Sequence, residues 1–285
     1  MNATTRLRYR RAVNVIMLGA TGVCAAGIAS VLLFILGYLL VNGAGSLSLS
    51  FFTELPTPVG ELGGGMANAI VGSGKILGLA VVFGVPLGFL GGVYLAEYAS
   101  PTGAFVVRYV TDLLNGVPSI VIGIFAYSLI VLQAKHFSAL AGGVALGIMM
   151  IPISVRSTEE FLRAVPSGLR EAALALGAPK WRVLATVVVP AARDGIVTGI
   201  LLNVARVAGE TAPLLFTAFS NRYWSSGIDQ PTASLPVMIY TYAISPYEDW
   251  HRQAWAAAFV LLMLVLGMNI ASKLLLKRSP LRAGR

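Results

Sequence analysis

Residues 12–53 read AVNVIMLGATGVCAAGIASVLLFILGYLLVNGAGSLSLSFFT, 42 residues between Arg11 and Glu54 without one charged side chain. A helix needs roughly 20 apolar residues to cross about 30 Å of hydrocarbon. This run is long enough to cross with residues to spare. It is about twice the apolar core of a signal peptide and ends in no small-residue cleavage site, so it reads as a retained span. Four further uncharged runs follow, of 21 residues between Lys75 and Glu97, 22 between Asp112 and Lys135, 19 over 137–155 and 20 over 253–272. A sixth segment, 191–219, is apolar except for Asp194, Arg206 and Glu210. The spans expected are therefore 13–41, 66–95, 117–133, 140–155, 191–219 and 254–275, an all-α polytopic membrane bundle of six helices. A membrane domain over 13–275 would lie between tails at 1–12 and 276–285.

Composition agrees. Of 285 residues, 56% are hydrophobic and 12% charged, against about 25% charged in soluble domains. Mean hydropathy is +0.79. A single cysteine, Cys24, argues against a disulfide scaffold, and abundant Leu, Val, Ile and Phe argue against disorder. The net charge of +9 is explained by topology. Six spans put both termini on one side, and that side collects 16 of the 21 basic residues, from Arg6 to Arg11, Arg108, Arg156 to Arg193 and Lys273 to Arg285. Lys135, Arg222 and Arg252 fall opposite. The positive-inside rule then places both ends in the cytoplasm, and no soluble basic domain remains to bind nucleic acid.

The inner segment 156–190 carries most of the internal charge. Ser167 is a candidate N-cap, Gly177 suits the left-handed position that ends a helix, and Pro179 suits the first turn of the next. The predicted elbow is a short helix, a tight turn and a second helix entering the fifth span. It reads either as a docking surface for a soluble partner or as a solvated amphipathic connector.

On a continuous helix at 100° per residue, Gly195, Gly199, Asn203, Arg206, Glu210, Pro213 and Thr217 of the fifth span share a stripe about 80° wide. Val197, Leu201, Val204, Ala208 and Leu215 lie on the far side. A buried arginine costs about 2.5–3.5 kcal/mol even on the lenient insertion scale, and Glu210 four residues on would offset part of it. Pro213 cannot donate to the carbonyl of Gly209, which makes Gly209 and Pro213 a candidate hinge. The stripe reads either as a helix–helix salt bridge with a tolerated kink, or as a gate. In the gate, Arg206 holds a tetrahedral oxyanion bidentately, Glu210 is its resting counter-ion, and Asn203 and Thr217 line the path.

Lys75 is a second candidate cation, or it snorkels to the interface. Its GSGKI context is not a nucleotide loop, because Ala69 and Ile76 occupy positions that require Gly and Ser or Thr. His136 and His251 lie in or beside outer loops, and no metal cluster or nucleophile elbow is legible. The chain is not expected to be an enzyme.

Glu171-Ala172-Ala173, three residues, Gly177, nine residues, then Val187-Val188-Val189-Pro190 resembles the signature of ABC-importer permeases, with valine at both aliphatic positions. VARVAGETAPLLFTAFSN from Val204, NGVPSIVIGIF from Asn115, REAALALGAPKW from Arg170 and SLPVMIYTYAISP from Ser234 resemble the PstA-type permeases of phosphate ABC importers. The likeness covers roughly 65–275. It implies a type I importer permease fold in the inner membrane, with Glu171, Ala172, Ala173 and Gly177 forming a coupling helix in a groove of the ATPase. It also implies partners: a second, PstC-like permease, a PstB-like ATPase dimer that binds ATP and magnesium, and a PstS-like phosphate-binding protein. This chain itself needs no cofactor. The rival readings are a permease for sulfate or molybdate, and a stand-alone secondary anion transporter or channel, which would not need the elbow.

Overall fold

The computed structural model describes residues 3–58, 61 and 63–277. Among these it is helical without strands. Five helical stretches are long and apolar enough to cross a membrane: Arg6–Gly45, Ala67–Tyr98, Ala139–Arg163, Lys180–Val207 and Glu248–Leu274. The sixth crossing expected at 117–133 is the outer limb of a bent pair, Pro101–Gly116 and Ser119–Ala134, which meet at 99°.

The bundle is organised around α3 (Ala67–Val93) and α7 (Ala139–Arg163), the most extensively packed pair. Glycines bring their backbones together. A Cβ on Gly88 would lie 2.3 Å from Ser154 Cβ, and one on Gly92 2.5 Å from Thr158 Cβ. Small residues at such a seam gain van der Waals contact where lipid offers no hydrophobic drive. Against α7 pack α4 (Pro101–Gly116) and α5 (Ser119–Ala126), the latter extended by a π turn, Tyr127–Val131, and α6 (Leu132–Ala134). On the other side α10 (Val189–Val207) packs on both α7 and α13 (Glu248–Lys277). Among the described residues helix α1 (Ala3–Gly45) leans chiefly on α13, with Tyr38 edge-on to Trp255; its other sides are exposed apolar residues, as a lipid-facing helix requires. The tail expected at 1–12 is, from Ala3, the first turns of α1; of the tail at 276–285, residues 278–285 lie outside the described residues.

Two departures from the sequence reading bear on function. Residues 101–116 were expected to be an inner loop, and they form α4. Ser100 caps it by accepting the Gly103 N–H, and Pro101 opens it. Its length ends at Val117, because Pro118 drives the residue before it to extended backbone. The charges on α4 face α7. Arg108 and Arg163 both reach Glu159 Oε1, at 2.5 and 3.1 Å, Arg156 lies 3.6 Å from Glu159 Oε2, and Arg156 also pairs with Asp112 at 2.8 Å. Glu159 is buried. Helix α7 therefore continues two turns past Val155, which shortens the expected 156–190 loop to a compact elbow.

A short helix α2 (Leu49–Thr53) covers the start of α3, and α12 (Leu235–Ala243) packs on α13 and α3. The segment 218–234, expected on the outer side, is pinned across the ends of α3 and α7. Asn68 donates to the Asn221 carbonyl, and Leu140 and Ala139 donate backbone N–H groups to Ile228 and Gln230.

Candidate functional site

The fifth span does not run unbroken. Helix α10 closes with Ala208 N–H on Val204 O (2.9 Å), Gly209 N–H on Arg206 O (3.4 Å) and Glu210 N–H on Val207 O (3.1 Å). The chain restarts as α11 (Ala212–Thr217), with Pro213 in the first turn. This corrects the expected kinked single helix. In a continuous helix the Pro213 ring would strike the Gly209 carbonyl and offer it no N–H; in a first turn the missing N–H costs nothing. Gly123 of α5 admits Pro213, since a Cβ there would sit 2.6 Å from Pro213 Cα. Irregular backbone at such a depth is tolerated only where it is packed in protein or lines a cavity.

The break removes the i, i+4 relation between Arg206 and Glu210, so the expected resting ion pair is corrected as well: no salt bridge joins them among the described residues. Arg206 is exposed on the last turn of α10 and Glu210 is half-buried in the turn beyond. They meet instead as walls of one cavity of about 160 Å³, with Asn115, Ser119, Met149 and Ile153. On its other side Arg206 borders an apolar groove of about 560 Å³ lined by Leu39, Pro236, Ile239, Leu261, Leu262 and Val265. Met149 and Ile153 stand midway along α7, and Leu261 and Val265 midway along α13. The guanidinium therefore sits among the apolar spans, between a polar cavity and a greasy groove.

The other expected path residues separate from it. Asn203 is buried in the α10–α7 seam, where Nδ2 donates to the Met150 carbonyl (2.8 Å) and to Ser154 Oγ (2.9 Å). Thr217 is fully buried on α11 and donates to Pro213 O at 2.8 Å. Neither lines the Arg206 cavity. Past Val207 the helical count that grouped Thr217 with Arg206 no longer applies. Lys75, half-buried on α3, donates to the carbonyls of Ser225 (2.6 Å) and Gly227 (3.1 Å), strapping the outer segment down.

The elbow has the expected form with a one-residue shift. Helix α8 (Ser167–Ala175) starts at Ser167, whose neighbour Pro166 is the cap and makes no side-chain bond; α9 (Lys180–Val183) starts after Pro179. Gly177 adopts φ +81°. Its N–H bonds Leu174 O (2.9 Å), and Ala178 N–H bonds Ala173 O (3.4 Å), the paired closure of a Schellman turn. Ala173 and Ala178 turn inward onto Leu162, Val165 and Val183. Glu171 and Ala172 face outward beside exposed Leu169, Leu174, Leu176 and Trp181. An apolar patch on a polar-flanked elbow marks an interaction surface.

Sequence reasoning missed Asn115 and Ser119, whose signal was polar side chains flanking the Val117-Pro118 break. It missed Glu159 too, whose partner Arg108 is 51 residues away, beyond any local periodicity.

Comparison with known proteins agrees with this architecture. The family described as "Binding-protein-dependent transport system inner membrane component" matches residues 84–279. The chain is 46% identical over 245 residues to the phosphate transport system permease protein PstA of Yersinia pestis, covering 86% of this chain and 83% of that one. It is 44% identical over 274 residues to the Haemophilus influenzae protein of the same name, covering 96% and 97%. Among solved structures, a MetNI methionine ABC transporter in an inward-facing conformation superposes with a TM-score of 0.57 at 19% identity, covering 74% of this chain and 96% of that one.

Proposed function

The chain belongs to the family of binding-protein-dependent transport system inner-membrane components, and on that premise we propose that it is the PstA-type permease subunit of an ABC importer of inorganic phosphate. The observation that carries the reading is Arg206: a guanidinium with no ion-pair partner among the described residues, set among apolar spans on a broken helix, opening on a polar cavity. Such a charge cannot rest against acyl chains. It needs a second protein surface or a water-filled path, and a permanent cation on a path serves an anion.

Arg206 supplies charge and a planar fork of donors, Asn115 and Ser119 supply neutral hydrogen-bonding groups, and Glu210 keeps the site from holding its cargo too tightly. A path must bind well enough to admit and weakly enough to release. Exposed Glu171, Ala172 and the leucines of the elbow offer the docking face for an ATPase that binds ATP and magnesium; no chemical change of the cargo is involved. A second permease faces Arg206 across the path, and a phosphate-binding protein delivers from outside. We read both termini as cytoplasmic, a reading that the excess of basic residues on the elbow side supports.

The proposal is tested by uptake of labelled phosphate in cells lacking their own permease and carrying this chain with its partners. Uptake that excess sulfate does not depress is the expected result; uptake of sulfate in its place contradicts the assignment. Glu171→Lys reverses the charge at the docking face. It is expected to weaken ATPase association by about tenfold or more, since like charges at a contact cost kcal/mol. Co-purification of the ATPase in detergent reads the effect.

A further inference from the structure

Beside its apolar packing on the end of α7, the elbow sends two charged side chains to the inner end of the second span. Arg170, at the start of α8, lies with Nη2 3.0 Å from Glu97 Oε1 and donates to the Leu162 carbonyl at the end of α7. Lys180, at the start of α9, donates to the Glu97 backbone carbonyl and stands 4.8 Å over the Tyr98 ring. Both limbs of the elbow thus converge on two consecutive residues, which close the π turn Tyr94–Tyr98 below α3. Another π turn, Leu184–Val188, carries the other limb into α10. A π turn holds an extra residue and marks a place where helical register can shift.

We propose that Glu97 is the positioning residue through which the elbow moves the bundle; the inference rests on the reading that the elbow docks an ATPase. The Glu97 side chain is 11% exposed, so its charge is weakly screened. The contact is made by charge alone: neither Glu97 Oε1 nor Arg170 Nε is hydrogen-bonded. A bidentate arrangement of the same two groups is therefore open to a small displacement of the elbow. What Glu97 is attached to gives that displacement reach. Helix α3 is locked to α7 by the glycine seam, so the two move as one body. At its far end α3 holds the outer segment through Asn68 and Lys75, and Ser73 accepts the Leu235 N–H just past that segment. A push at Glu97 on the inside is delivered to residues 218–234 on the outside by one rigid helix.

The test uses the assembled complex, with second permease, ATPase and binding protein, in sealed vesicles. ATP hydrolysed and phosphate imported are measured together. Glu97→Gln keeps the shape and removes the charge; it is expected to raise ATP consumed per phosphate by about two- to tenfold while the ATPase still co-purifies. Glu97→Asp, which restores the charge, is expected to return the ratio toward the parent value. An unchanged ratio in Glu97→Gln overturns the proposal. So does loss of the ATPase from that variant, which would make the contact a prop for the elbow only. Failure of the docking reading would show separately, as ATPase retained by Glu171→Lys.

Discussion

Arg206→Leu is expected to abolish phosphate uptake while leaving the complex intact and no less stable. The two halves of that result have one cause. A guanidinium among apolar spans is a burden on the fold, of up to about 2.5–3.5 kcal/mol on the insertion scale, and among the described residues nothing is bonded to it to make the burden worthwhile structurally. Leucine relieves it. The same substitution removes the donors that hold the anion, each charge-assisted bond being worth ~1.5–3 kcal/mol. Two such bonds lost lower the rate by about a hundredfold or more. A residue kept for packing would show the reverse pattern, poor assembly and residual transport. Uptake in vesicles together with the melting profile of the purified complex distinguishes the two.

Glu159→Leu is expected to fail the other way, by loss of the fold around α4. Glu159 is buried, accepts from Arg108, and is the ion-pair partner of Arg163 and Arg156. Removing it leaves Arg108 without a carboxylate partner among the described residues and Arg163 with the Leu95 carbonyl alone, while Arg156 keeps Asp112. Breaking a buried pair costs about 3–5 kcal/mol. Here the arginines keep part of their hydration, with side chains 30–51% exposed, so about 3 kcal/mol is the expectation. That is a large share of the stability of an ordinary domain. The measurement is the temperature at which the purified complex aggregates in detergent. A parent-like temperature would show that α4 is held by its apolar contacts alone. Because α4 carries Asn115 to the Arg206 cavity, a loosened α4 should also depress uptake in whatever complex survives.

The spans were legible in the sequence because membrane burial is written in uncharged runs, and a run of 20 such residues has few other uses. The elbow was legible because Gly177 must supply a left-handed backbone between two helix-forming segments, and it does, at φ +81°. Arg206 was legible by the cost of placing it. Geometry was less so. The wheel that aligned Asn203, Arg206, Glu210 and Thr217 assumed one helix, and the pair Gly209 and Pro213 was read as a bend in it. A proline four residues after a glycine is compatible with both a kink and a restart, and the choice was made by packing of Pro213 on Gly123 of α5, a contact 90 residues away. Asn203 shows the same limit. A polar side chain in a span announces a partner, and only the fold shows that the partner is the backbone of α7. Helix α4 was hidden because its apolar residues, Phe105, Val106, Tyr109, Val110 and Leu113, are interrupted by charges that answer to α7.

The central claim is that a positive charge at position 206 lies on the route of the anion. It is tested most directly by removing the charge and returning it chemically. With the exposed Cys24 first replaced by serine, Arg206→Cys is expected to transport no phosphate. Treatment with a thiol reagent that adds an ammonium group should restore part of the uptake, and one that adds a sulfonate should restore none. Full uptake by the untreated cysteine variant, or equal rescue by both reagents, would contradict the account.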